Sequence, residues 1–221
     1  MIDLELHSHT HHSTDSLNRL PDIIRTCRAV GIDRIAVTDH NEIAGALRAF
    51  NAAPDLVIVG EEVKTTHGEL LCLFIHDMIP RGTSPEEAIA RVRAQGGIVG
   101  APHPLDPNRS GLGRENLLRL APLLDFVEVF NARTLDATKN TEADALALAL
   151  GLARSVGSDA HLLCEIGGCR VRMRPYTSPQ DFVAALQEAE LITHTSSPLM
   201  HLGSRWAAMA HALGIDKERR D

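Results

Sequence analysis

Aromatic residues are scarce, at 3% of the 221 residues with one Trp and one Tyr, so Ala, Leu, Ile and Val must build the core. None of the four cysteines, Cys27, Cys72, Cys164 and Cys169, stands in a C-x-x-C pair, which sets aside the common dithiol and zinc-ribbon patterns. Cys27 lies in a helical pattern and Cys72 in an apolar strand-like run, where a reduced thiol acts as a small core hydrophobe. No apolar run approaches the roughly 18 residues of a membrane span, and the first residues lack a basic-then-apolar leader. The expectation is a cytoplasmic protein with no membrane partner. Positive charge is in deficit, with 22 Lys and Arg against 29 Asp and Glu and a formal net charge of −7. That balance argues against a surface that coats nucleic acid or holds it in a stable complex. It leaves room for a nucleotide or a short nucleic-acid end in a cleft. No Gly-x-Gly-x-x-Gly follows the first strand-like run, which disfavours a dinucleotide fold, and no motif for a Ser or Cys nucleophile stands out.

Histidine is the surplus, at twelve residues. The alternation Ile2, Leu4, Leu6 reads as a buried strand and leads into His7-Ser8-His9-Thr10. Histidines at i and i+2 share one face of a strand. Three more apolar runs end in ligand-type residues: Ile35–Thr38 before Asp39-His40, Leu56–Val59 before Gly60-Glu61-Glu62, and Ser155–Ser158 before Asp159-Ala160-His161. Ile98–Gly100 adds Ala101-Pro102-His103-Pro104, and Phe126–Val129 runs into Phe130-Asn131-Ala132-Arg133.

Between these strands the spacing predicts helices over Leu20–Val30, Glu42–Ala52 and Glu115–Leu120, with an Ala/Leu-rich one over Asn140–Ala153. Another follows Ser84-Pro85-Glu86-Glu87, a capping-box sequence, as far as Gln95. Leu70–Ile75 is a further apolar run, and Val171–Met173 is a candidate last strand. Ser178-Pro179-Gln180-Asp181 opens a helix to about Glu190, a weak helix covers Ser204–Leu213, and Lys217–Asp221 reads as a frayed end. Alternating strands and helices, each strand apolar on both faces, describe a parallel sheet covered by helices. About seven such units favour a closed or nearly closed barrel, whose active site gathers at the C-terminal strand ends. Residues 1–221 form one domain in this reading, with residues 178–221 as a helical extension.

His7, His9, Asp15, His40, Glu62, His103, Asp159 and His161 all fall at or just past predicted strand ends. Imidazoles mixed with carboxylates are the donor set of a hydrolytic metal centre and suit Zn, Mn or Fe without choosing among them. Asp39 reads as a supporting residue or a cap beside His40. His11 and His12 read as rim-loop residues.

These motifs, in this order over about residues 1–170, resemble the PHP (polymerase and histidinol phosphatase) family: His7-Ser-His-Thr with Ser13 and Asp15, Thr38-Asp39-His40-Asn41, Gly60-x-Glu62, Ala101-Pro-His103-Pro and Ser158-Asp159-Ala-His161. The run Phe130-Asn131-Ala132-Arg133 is similar to a bacterial subgroup of small stand-alone phosphoesterases. The resemblance implies a distorted (β/α)7 barrel with two or three divalent ions at its C-terminal rim. It implies that His7, His9 and Asp159 hold the first ion and that Glu62 bridges to a second, joined by His103. Asp15, His40 and His161 then build a third position. Many family members carry a histidine seven residues after the bridging glutamate; this chain has Glu69 there, with His67 as a fallback, and it has Glu5 where Asp is usual.

The implied chemistry is hydrolysis of a phosphate ester by a metal-activated water, with Asp159, His161 and Arg133 as the candidate catalytic groups. Substrates in this reading are a small phosphomonoester, a nucleotide or a short oligonucleotide end. Arg133 and Asn131, then Arg109 and Arg114, are candidates to receive the phosphate. Two rival readings are a C–N or C–O hydrolase of an amidohydrolase-like barrel and a non-catalytic metal-binding regulatory module. Lys64 is the nearest lysine to a bridging position, and it does not follow a strand.

Overall fold

In the computed structural model, which describes residues 1–214, helices and strands alternate along most of the chain. The order is β1 (Ile2–Ser8), α1 (Leu20–Val30), β2 (Arg34–Val37), α2 (Ala44–Ala52), β3 (Val57–Thr65), β4 (Gly68–Leu73), α3 (Pro85–Ala94), β5 (Ile98–Ala101), α4 (Gly113–Leu120), β6 (Phe126–Asn131), α5 (Ala137–Leu150), β7 (Ala153–Gly157), β8 (Arg170–Met173), α6 (Pro179–Gln187), β9 (Glu190–Ile192) and α7 (Met200–Ala212). The frayed end expected at Lys217–Asp221 lies outside the described residues. Among them, no helix is long and apolar enough to cross a membrane.

One sheet runs β7-β6-β5-β4-β3-β2-β1-β8-β9. Its neighbours β1–β2, β2–β3, β5–β6 and β6–β7 are parallel, while β4 is antiparallel to both β3 and β5. The sheet then curls back on itself. Ser8 at the end of β1 bridges Ala160, just past β7, in parallel, with His9 N donating to Ala160 O at 3.0 Å. The start of β1 pairs instead with antiparallel β8, so β1 belongs to two ladders and the mixed α/β barrel is nearly closed.

Two strand readings are corrected by this topology. The apolar run at 56–59 is only the first part of β3, which continues through Glu61 and Glu62 to Thr65. Antiparallel pairing with β4, from Gly60↔Leu73 to Thr65↔Gly68, keeps those polar residues in the strand. Glu62 therefore sits inside a strand that overruns the rim, level with His40, which bridges it. The tail beyond residue 178 is not wholly helical, since β9 pairs with β8 to make a short ribbon beside β1.

Helix limits follow local chemistry. Pro21 sits in the first turn of α1, and Gly31, at φ 76°, receives its end in the left-handed region that glycine tolerates. Ser84 accepts from Glu87 N at 3.2 Å, but Glu87 spends its carboxylate on Arg91 rather than closing the expected box. Helix α2 starts at Ala44 rather than Glu42, because the Glu42 carboxylate takes the N–H groups of Ile43 and Ala44. Asp136 caps α5 by accepting from Thr138 N, which moves its start ahead of Asn140, and Gly151 ends it before Ala153.

Candidate metal centre

All six co-directional strands, β1, β2, β3, β5, β6 and β7, bring their C-terminal ends to one rim, and the histidines meet there. Alternation puts Glu5 and His7 on one face of β1, with Leu4 and Leu6 on the other. The β1–β2 register slips by one residue between Glu5 and Ser8, and the β6–β7 register slips between Glu128 and Phe130. Bulges of this kind re-aim side chains next to active sites.

Glu62 lies at the centre. Its Oε1 is 2.9 Å from His103 Nε2, and its Oε2 is 2.9 Å from His40 Nδ1, 3.3 Å from His7 Nε2 and 3.5 Å from His9 Nε2. Asp159 approaches from the other side, with Oδ1 3.2 Å from His9 Nε2 and 3.8 Å from His7 Nε2. Asp15 Oδ2 lies 3.0 Å from His161 Nε2 and 3.5 Å from His40 Nε2. Among the described residues, three groupings bring one donor atom from each member within 4.8 Å of the others: His7, His9 and Asp159; His7, Glu62 and His103; and His9, His40 and His161.

The electrostatics suit cation ligands. Burial, reinforced by His40 and His161, pushes the His9 imidazole down to about 3, leaving it neutral with a free lone pair. Burial lowers His7, but Glu128, Glu62 and Asp159 outweigh it and raise that group well above its ordinary value. For Asp159 and Glu62, burial acts upward. It is overcome by Arg109 and His7 at Asp159 and by His40 and His7 at Glu62, and both carboxylates are held well below the usual range. His9 Nε2, Asp159 Oδ1, His103 Nδ1 and Asp15 Oδ1 are buried polar atoms with no hydrogen-bond partner. Buried polar atoms rarely stay unpaired, and His9 Nε2 beside Asp159 Oδ1 in a His/carboxylate cluster is a donor set that fits a cation.

A set of polar residues holds these groups in place. Glu128 accepts from His7 Nδ1 at 2.9 Å, from the His103 backbone N–H at 2.7 Å and from Asn131 Nδ2 at 3.0 Å. Glu5 accepts from Ser158 N and Oγ at 3.1 and 2.6 Å, and burial pushes its carboxyl up to about 7. Asp39 supports the rim loop by accepting from Thr10 N, Thr10 Oγ1 and Ser13 Oγ, each at 2.7 Å. Glu165 accepts from the backbone N–H groups of His161 and Leu162 at 3.0 Å. Glu128 and Glu165 were invisible to the strand-end pattern; the one signal for Glu128 was a carboxylate inside an apolar strand. Four non-glycine residues have positive φ among the described residues, and Asn41 (53°), His103 (26°) and Asp159 (52°) are at this centre. Such strain gathers where function over-determines the backbone.

The remaining sequence candidates divide. Arg109 reaches the centre, its Nη2 2.6 Å from Asp159 Oδ2. Arg133 is 2% exposed and donates to Asp159 O at 3.4 Å, Met200 O at 3.2 Å and Ser204 Oγ at 2.7 Å. Together they line a cavity of about 590 Å³ whose far wall carries His201, Ser204 and Arg205 of α7. Asn131 is corrected: it is 1% exposed, with Nδ2 on Glu128 and Asp159 and Oδ1 accepting from Arg133 N, so it braces the centre rather than facing a substrate. Arg114 is corrected too, because Gly113 turns the chain into α4 and the Arg114 guanidinium pairs with Glu142. Glu69 pairs across from Lys64 on β4 and feels the charges of Glu62, His103 and His40, but it joins none of the three groupings. His67 sits in the β3–β4 turn, bonded to Thr66, and joins none either. Among the outlying histidines, His11 bonds to the Asn18 carbonyl and His76 is exposed.

Comparison with known proteins gives the same outline. The model of the PHP domain matches residues 5–160, and a PHP-associated model matches residues 137–191. The uncharacterized protein MJ0417 of Methanocaldococcus jannaschii is 33% identical over 197 residues, 84% of this chain and 79% of that protein. Among solved structures, PsfC of Pseudomonas syringae superposes with a TM-score of 0.70 at 19% identity, over 95% of this chain and 98% of that one. A two-domain protein of Bacteroides vulgatus, described as containing a predicted PHP-like metal-dependent phosphoesterase, gives 0.68 at 20% identity, over 87% of this chain and 65% of that one.

Proposed function

This chain belongs to the PHP domain family, and from that premise we propose that it is a metal-dependent phosphoesterase holding two or three divalent cations, Zn, Mn or Fe. The observation that carries the reading is the pair of unpartnered buried atoms, His9 Nε2 and Asp159 Oδ1, 3.2 Å apart among imidazoles. Two such atoms side by side, a neutral imidazole nitrogen and a carboxylate oxygen shut off from water, are a donor pair whose cost of burial a shared cation would offset. His7, His9 and Asp159 would hold one ion, Glu62 with His103 a second, and His40 and His161 with Asp15 a third. Bound cations supply Lewis acidity that activates water and neutralises phosphate oxygens.

The chain's own residues do the rest. Glu128 accepts a hydrogen bond from His7 Nδ1–H and so directs Nε2 at Glu62 and Asp159, where a bound cation would replace the Nε2 proton that these carboxylates favour in its absence. Arg109 and Asn131 engage Asp159 Oδ2 and leave Oδ1 turned to the imidazoles. Arg109, which also pairs with Asp159, joins Arg133 and Arg205 in the adjoining cavity against the single carboxylate of Asp106, an excess of guanidinium that favours a phosphate there. Residues 1–214 act as one unit in this reading, since α7 supplies the Ser204 and Met200 contacts that hold Arg133. The C–N hydrolase reading lacks its bridging lysine: Lys64 Nζ is bonded to Ser110 Oγ at 3.0 Å.

Elemental analysis, paired with hydrolysis of an aryl phosphate and of a nucleoside bisphosphate, tests the proposal on wild type, His7→Ala and Asp159→Asn. Two or more ions per chain and turnover lost in both variants support it. A folded protein without metal, or with metal but without turnover on either ester, overturns it.

A further inference from the structure

The fourth positive-φ residue, Phe74 at φ 60°, lies at the other end of the barrel. An aromatic side chain in the left-handed region is strained and persists only where its surroundings hold it. Phe74 N donates to Val59 O at 2.8 Å, and its ring meets Phe182 and Tyr176 edge-on at 5.2 and 5.9 Å. So held, it walls a cavity of about 510 Å³ together with Leu47, Phe50, Val59 and Tyr176. Arg34 opens β2, Val57 opens β3, and Phe74 follows antiparallel β4, so the cavity is at the N-terminal face, opposite the histidine rim.

Its volume is in the range of small-molecule sites, and its walls have their composition: mostly apolar and aromatic, with few polar groups. One guanidinium faces it, with His76 the other basic side chain on the lining. Arg34 has no acidic partner among the described residues, and its only hydrogen bond there is Nη1 to Pro54 O at 3.1 Å. No Asp or Glu lines the cavity, and Ser178 contributes a hydroxyl at its edge. A single guanidinium beside aromatic walls matches one negative charge on an apolar body.

The geometry points to a second ligand site here, for a small apolar or aromatic monoanion carrying one carboxylate or sulfonate. It uses no residue of the metal centre, and neither reading depends on the other. The body packs between Phe50, Phe74 and Tyr176, and the anionic group pairs with Arg34.

Anilinonaphthalene sulfonate, an aromatic monoanion whose emission rises in apolar surroundings, is the probe for the test. The full-length protein is titrated as wild type, Arg34→Gln and Leu47→Glu, with circular dichroism and metal content confirming that each variant is folded. Saturable binding of one probe per chain is expected. Both variants, and the parent anilinonaphthalene lacking the sulfonate, should bind about tenfold or more weakly, the size of a lost charge-assisted hydrogen bond. The exposed apolar residues of α7, among them Leu202 and Trp206, are the rival location, and Trp206→Ser controls for it. No binding to wild type, equal binding by Arg34→Gln and Leu47→Glu, or a signal lost in Trp206→Ser overturns the inference.

Discussion

Replacing Glu128 with Gln tests whether the centre depends on a carboxylate that touches no ion. Three donors converge on its two oxygens: His7 Nδ1 at 2.9 Å, His103 N at 2.7 Å and Asn131 Nδ2 at 3.0 Å. Gln offers one oxygen and one NH₂ in the same space. With its oxygen toward His103 and Asn131, the NH₂ faces the Nδ1 proton of His7. That proton must then move to Nε2, which takes away the lone pair aimed at Glu62 and Asp159. With the amide reversed, the His103 backbone N–H meets a donor instead. The first arrangement costs the His7 tautomer and the second strands the two donors His103 N and Asn131 Nδ2, so the loss is about 1–3 kcal/mol. For a chain of this length that is a fall of about 2–12 °C in Tm. Metal affinity should drop about 10- to 100-fold, as is usual when the partner of a ligating histidine is removed. Chelator competition reads the affinity, and thermal unfolding of the metal-free protein reads the stability separately. A Glu128→Gln protein with wild-type affinity and wild-type Tm would refute the argument.

Other outcomes follow from the same geometry. A Cβ on Gly157 would lie 2.1 Å from Glu128 Oε1 and 2.7 Å from His7 Cβ. Gly157→Ala should therefore cost about 1–3 kcal/mol of stability, read from denaturant midpoints, together with metal content. With metal supplied in excess, Arg109→Gln should lower kcat on a phosphate ester by about 10²- to 10³-fold, while Arg114→Gln stays within about twofold. Only Cys164 is exposed, whereas burial pushes the Cys27 and Cys169 thiols up to about 12 and Cys72 well above its ordinary value. A thiol reagent should thus modify one cysteine in the native protein and four after unfolding, counted by mass spectrometry. Chelation should lower Tm, and adding Zn or Mn at a hundred times Kd should restore about 2.7 kcal/mol.

The sequence was most legible where an apolar run stops at a ligand-type residue. His7, His9, His40, His103, Asp159 and His161 could be placed that way, because hydrophobic periodicity marks where a parallel strand ends. It failed where a strand carries polar residues for its own reasons. β3 looked finished at Val59, yet it runs to Thr65 because β4 pairs back along it, and such pairing leaves no trace in the hydropathy of β3 alone. Glu128 read as an ordinary strand residue until His7, 121 positions away, was seen to donate to it. Arg109 and Arg114 share one loop and one chemistry. A positive φ of 71° at Gly113 ushers in α4 and separates their fates, and glycine alone does not announce which way the chain turns.

Because β1 belongs to two ladders, the order in which the chain emerges from the ribosome matters. β1 is made before the other strands but must wait for Ala160 to close the barrel and for Val171 to Met173 to complete its other edge. Until then, His7 and His9 lack Asp159, and an incomplete chain cannot assemble the grouping that contains all three. Contacts spanning so much of the sequence slow folding and leave the early strand's edge open to wrong partners. Capture of the ion assigned to His7, His9 and Asp159 would therefore be a late event in a nascent chain, and its onset would date the moment of ring closure.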